Sequence, residues 1–111
     1  MFRRSLLPLA LLLPLAASAA PPAATARYQI EIRNFHFLPA RATVPVGAQV
    51  TWTNRDEEPH IVVSTGNRFP SSPALDTGDR YRATFTTPGT YTYFCHIHPA
   101  TMRGEVRVTT T

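Results

Sequence analysis

The sequence predicts an all-β domain, an antiparallel sandwich of short strands, and three observations carry that expectation. Apolar and polar residues alternate at period two in short runs. Turn residues separate the runs, and no stretch of the mature chain keeps helical periodicity for more than about a turn. Ile30 and Ile32 alternate with charged neighbours, and Val44, Val46, Val50 and Trp52 continue the pattern across Gly47. His60-Ile61-Val62-Val63 is a compact apolar run, followed by a loop over 67–76 that holds Pro70, Pro73 and three serine or asparagine residues. Tyr81-Ala83-Phe85, Tyr91-Tyr93-Cys95 and Val106-Val108 complete the series, with Pro88-Gly89 as a turn between strands. Short strands rich in β-branched and aromatic residues, closely spaced, suit two packed sheets.

The first residues belong to a different class. Met1 to Arg4 is a short basic leader, Ser5 to Ala16 is almost wholly apolar, and Ala17-Ser18-Ala19 supplies the small-x-small pattern of a cleavage site. Residues 1–19 therefore read as a signal peptide, 20–26 as a flexible leader rich in Pro, Ala and Thr, and 27–111 as the domain. Pro8 and Pro14 interrupt the apolar run, which falls short of the ~20 residues a membrane span needs. Export to the periplasm is expected, with no stable membrane insertion after cleavage near Ala19. Both the general and the twin-arginine routes fit the leader.

All eleven basic residues are arginine, against seven acids; without Arg3 and Arg4 nine remain, scattered between Arg27 and Arg107. No clustered basic face results, which argues against a nucleic-acid partner. The chain has one cysteine, Cys95. In an oxidising compartment an odd cysteine is free, bridged to another chain, or a metal ligand, and a free exposed thiol there is chemically vulnerable. Copper and zinc both accept such a ligand, as does a plain structural role in the core.

The segment Tyr93 to Gly104 places Cys95, His98 and Met102 in the loop of one hairpin, and Glu57-Glu58-Pro59-His60 brings a second histidine to the start of another strand. Two imidazoles and a thiolate with a weak axial thioether form the ligand set of a blue-copper electron-transfer site. Structural zinc motifs use more than one cysteine and zinc sites usually avoid thioether, so copper is the better match. The candidate ligands are His60, Cys95, His98 and Met102.

With those residues in view, the chain from about Tyr28 to Val108 resembles the cupredoxins, or blue copper proteins, of the amicyanin, plastocyanin and pseudoazurin group. The matching stretches are Asn34-Phe35-His36-Phe37-Leu38-Pro39-Ala40, Thr43-Val44-Pro45-Val46-Gly47, Val50-Thr51-Trp52-Thr53-Asn54-Arg55-Asp56, Pro59-His60, Gly89 to Cys95, and His98-Pro99. The resemblance implies a Greek-key β-sandwich of about seven to eight strands, with one type 1 copper ion at one end. It also implies single-electron transfer with transient redox partners, a cytochrome or an oxidoreductase, by a monomer. Three departures stand out. Three residues separate His98 from Met102, where amicyanin-like loops have two and azurin-like loops three. Ile61 follows the first histidine where a polar residue is usual, so its backbone N–H is expected to serve the cysteine sulfur. His96 stands between the ligands where a small polar residue is common.

Catalysis is not expected. Four histidines in the whole chain cannot build a trinuclear copper cluster, and one cysteine cannot build a binuclear one. The competing functions are copper delivery in the periplasm and a copper-free adhesion module. Phe94 should point outward if Cys95 points in. Asp56-Glu57-Glu58 reads as a solvated loop, with partner steering as the alternative. His36 and His96 read as surface histidines. An apolar docking face is expected around His98, Pro99, Ala100 and Leu38.

Overall fold

The computed structural model describes residues 27–110, with positions 8 and 10 in isolation. The signal peptide and leader expected over 1–26 otherwise lie outside the described residues. Eight strands form in chain order: β1 Arg27–Arg33, β2 His36–Leu38, β3 Arg41–Pro45, β4 Gln49–Asn54, β5 Val62–Ser64, β6 Arg80–Thr84, β7 Gly89–Cys95 and β8 Arg103–Thr109. A single 3-10 turn at Thr65–Asn67 is the one helical element among the described residues. The strands make two four-stranded sheets, ordered β2-β1-β4-β6 and β3-β8-β7-β5.

Two pairings depart from the antiparallel expectation: β1 runs parallel to β4, and β3 parallel to β8. The chain crosses from the first sheet to the second at β3 and returns at β4, so β4 re-enters beside β1 from the same end. Period-two alternation is identical in both pairing modes, so residue pattern does not separate them.

The core lies between the inner faces and is aromatic. Trp52 stacks on Phe69 with ring centroids 5.8 Å apart and meets the ring of Tyr93 edge-on at 5.3 Å. Phe37 packs edge-on to Tyr93 at 4.7 Å, and Phe69 to Phe85 at 5.3 Å. Burying each large apolar side chain contributes about 1.5–3 kcal/mol. Inward and outward positions alternate along β7 as expected: Tyr91, Tyr93 and Cys95 are buried while Thr90 and Thr92 are exposed. Phe94 is half-buried rather than open, lying opposite Val63 on one side and Arg103 on the other.

Gly104 faces Tyr93 directly across the β7–β8 pair. A Cβ there would fall 2.4 Å from both Cζ and Oη of Tyr93, so the missing side chain is where the phenol ring sits. Burial pushes the Tyr93 phenol well above the usual tyrosine range. Its hydroxyl and the indole Nε1 of Trp52 are buried, and neither makes a hydrogen bond of normal geometry, although the indole still acts to lower the phenol.

Candidate metal centre

Asn54 ends β4 and organises the approach to His60. Its side-chain NH2 donates to the carbonyls of Glu58 and Leu75, both at 2.8 Å, and its carbonyl oxygen accepts from Asp56 N at 2.9 Å. Fully buried and satisfied at every position, this amide folds 55–58 into a tight turn. Leu75 and His60 then exchange backbone hydrogen bonds, N–H to carbonyl, at 3.1 and 2.8 Å. His60 therefore sits in an isolated bridge ahead of β5, two residues before the strand expected to contain it.

The His60 side chain is fully buried and held at both ring nitrogens. Nε2 lies 2.8 Å from Asp56 Oδ2, and Nδ1 lies 3.5 Å from Cys95 Sγ. A carboxylate only accepts, so in the neutral imidazole Nε2 carries the proton and Nδ1 turns its lone pair toward the thiol. A carboxylate behind a histidine in this way fixes both ring orientation and tautomer.

Asp56 is thus not part of a solvated loop. It is 9% exposed, while Glu57 and Glu58 beside it are exposed as expected. Its Oδ1 accepts from Asn34 N at 2.6 Å and its Oδ2 from Phe35 N at 2.9 Å. Burial pushes the Asp56 carboxyl up, but bonds from the Phe35 N–H, the His60 ring and the Asn34 N–H outweigh it and hold it below the usual carboxylate value. The spacing of an acid four residues ahead of a histidine was the available signal. It was masked by two exposed glutamates in the same run.

Cys95 ends β7, fully buried and without a disulfide. The following residues coil back over it. His98 N donates to Cys95 O at 3.1 Å, Met102 N to His98 O at 3.0 Å, and Cys95 N to Met102 O at 3.0 Å. The His98-to-Met102 bond closes an i to i+4 turn, the span that three intervening residues provide. The loop thereby returns the fully buried Met102 to the backbone of Cys95. The two segments that carry the candidate ligands are tied by His96 N donating to Ile61 O at 3.2 Å. This bond replaces the expected Ile61 N–H contact to sulfur, since among the described residues the polar partner of Sγ is the His60 ring.

His98 stands at the rim, half-buried, its ring centroid 6.3 Å from that of His60. His60 and Cys95 are therefore in direct contact, Met102 joins them through backbone, and His98 approaches from outside. Among the described residues no three His, Cys, Asp or Glu side chains close into a metal-holding cluster. The side chains of His36 and His96 are exposed. Phe35 packs edge-on to both imidazoles, 5.4 Å from His60 and 5.2 Å from His98. Neither Phe35 nor Asn54 was singled out by the residue pattern.

The donor set suits copper: a buried thiol, an imidazole with a free nitrogen toward it, a second imidazole and a buried thioether at one end of the sandwich. Comparison with known proteins agrees. The model of the Cupredoxin-like domain matches residues 5–108. Amicyanin from Paracoccus denitrificans is 34% identical over 94 residues, spanning 81% of this chain and 71% of that protein. Plastocyanin from Scenedesmus fuscus is 35% identical over 83 residues, spanning 65% of this chain and 85% of plastocyanin. Among solved structures, a purple cupredoxin from Nitrosopumilus maritimus superposes with a TM-score of 0.69 at 36% identity, covering 74% of this chain and 99% of the other. Proteins of this kind bind one type 1 copper ion.

Proposed function

The chain belongs to the cupredoxin-like family, and on that premise we propose that it is a periplasmic electron-transfer protein that holds one copper ion with His60, Cys95, His98 and Met102. The observation that carries the reading is the buried Cys95 thiol facing the free nitrogen of His60 at 3.5 Å. Copper in such a site supplies a one-electron couple between Cu(I) and Cu(II). The protein's part is to keep the donors in one arrangement through both states. Asp56 fixes His60, and the turn from His98 to Met102 fixes the thioether relative to Cys95.

Among the described residues, Phe35, Leu38 and Ile97, at 40%, 46% and 48% exposure, are the large apolar side chains on the surface. Phe35 and Ile97 lie beside the ligand-bearing turns and extend the apolar face expected around His98 and Leu38. A small apolar face suits brief contacts with a cytochrome or an oxidoreductase, after which the partners separate. Among the described residues no helix is long and apolar enough to cross a membrane. The basic and apolar start of the sequence supports export.

The deciding experiment is addition of cupric ion to the purified domain. An intense thiolate-to-copper band, bleached by reductant and restored by oxidant, is expected, and Cys95→Ser abolishes it. A colourless product sinks the proposal. Copper delivery is the second reading, favoured by the half-exposed position of His98. A carrier keeps Cu(I) against a competing chelator while exchanging electrons quickly; a delivery protein gives the ion up.

A further inference from the structure

Residues Asn34 and Phe35 form a two-residue hairpin loop between β1 and β2, closed by the Arg33–His36 pair. Both have positive φ, 52° and 60°. Such loops favour Asn-Gly, because glycine alone enters the left-handed region without steric cost. Asn34 satisfies the first preference. At the second position stands a phenylalanine, a bulky residue in a backbone region where such residues are outliers, with 40% of its surface exposed. Neither the turn nor the core calls for it.

Its ring has a definite seat. It lies edge-on to His60 at 5.4 Å and 87° and to His98 at 5.2 Å and 90°, spanning two imidazoles that are 6.3 Å apart. The strained turn beneath it is held by Asp56, whose oxygens accept from Asn34 N at 2.6 Å and Phe35 N at 2.9 Å. The same carboxylate accepts from His60 Nε2 at 2.8 Å. One side chain therefore sets both the orientation of the imidazole and the backbone of the ring that covers it. Strain of this type persists only where the surroundings over-determine it, and here they do so at the candidate metal centre.

We infer that Phe35 is the cap of the metal centre, closing it to small anions, and that Asp56 is the positioning residue that seats the cap and orients His60 together. The inference rests on the copper reading for its purpose but not for its geometry. Without the cap, the fully buried Cys95 and the nitrogen facing it gain a path to solvent.

The test uses Phe35→Gly, which relieves the backbone and so does not forfeit the fold. In the metal-free domain, iodoacetamide should alkylate Cys95 at least about tenfold faster in Phe35→Gly than in the parent. The gain should be insensitive to low urea, as local opening requires. An unchanged rate, or one that tracks global stability, overturns the cap. In the copper-loaded domain, azide should leave the parent's visible band unmoved and shift that of Phe35→Gly; a parent band shifted by azide also overturns it. Asp56→Ala should accelerate alkylation, and Asp56→Ala with Phe35→Gly should exceed Phe35→Gly alone by less than about twofold. Multiplying effects would overturn the role of Asp56 through Phe35. If the parent takes up no copper the functional reading falls, while the alkylation comparison still decides the cap.

Discussion

Gly104→Ala tests the packing that holds together the hairpin of the candidate ligands. The added methyl would lie 2.4 Å from Tyr93 Cζ and Oη and 2.7 Å from Cε2. Carbon atoms in contact prefer about 3.5–4.0 Å, so the ring or the strand must retreat by about 1 Å. The ring is held from two sides: Tyr93 is 1% exposed and pressed edge-on by Phe37 at 4.7 Å and Trp52 at 5.3 Å. Overpacking of a dense core costs about 1–3 kcal/mol, and three close contacts on a wedged ring place this case near the upper end. Alanine restricts the unfolded chain more than glycine does, which returns about 0.4–1 kcal/mol. The net expectation is a loss of about 2 kcal/mol by this balance. In a domain of this size that lowers Tm by about 8–16 °C. Urea unfolding of the metal-free domain followed by Trp52 fluorescence is the assay, with the midpoint falling and the slope unchanged. Tyr93→Leu in the same background should recover part of the loss. A change below about 0.5 kcal/mol, the range of an ordinary surface substitution, would refute the steric account.

Three other expectations follow from particular atoms. Tyr93→Phe deletes a buried hydroxyl that makes no hydrogen bond of normal geometry; denaturation should show a change near zero or a gain of up to about 1 kcal/mol, where a well-bonded hydroxyl would give a loss. Burial raises the Tyr81 phenol above its ordinary value of 10.0; the raised group stays protonated in the folded state while the unfolded one ionises. The stability difference between the parent and Tyr81→Phe should therefore be constant below that ordinary value and move against the parent as pH rises through it, read from denaturant midpoints. Met102→Leu should keep the visible thiolate band and raise the reduction potential in voltammetry, because an axial thioether tunes potential more than it decides binding. No change in potential would remove Met102 from the ligand set.

Much of this molecule is legible in the order of its residues, and the illegible parts share a cause. Alternation at Tyr91, Tyr93 and Cys95 marks both a strand and its inward face, because burial in a sandwich follows period two directly. The donor types at positions 60, 95, 98 and 102 point to one soft-metal chemistry. What escapes is whatever depends on two distant segments meeting. Asp56 looks like the first of three solvated acids until Asn54 folds the turn that carries it under the β1–β2 loop. Phe35 looks like an ordinary aromatic near a strand until that loop is set against His60 and His98. The tie between the candidate-ligand segments runs through the carbonyl of Ile61 and not its N–H, and β5 starts two residues later than the apolar run suggests. Parallel pairing of β1 with β4 and β3 with β8 leaves no mark on composition at all.

That parallel pairing also dictates an order of events. The second sheet joins Arg41 to Glu105 and Val44 to Val108, so β3 has no neighbour until the last strand of the chain exists. Contacts so far apart in sequence slow folding, because the intervening chain must be ordered before they form. The turn bearing His98 and Met102 is pinned by β8 immediately after it. A chain halted before residue 103 would carry all four candidate donors and yet lack the strand that gathers them, so the binding end is the final part of the domain to come into being.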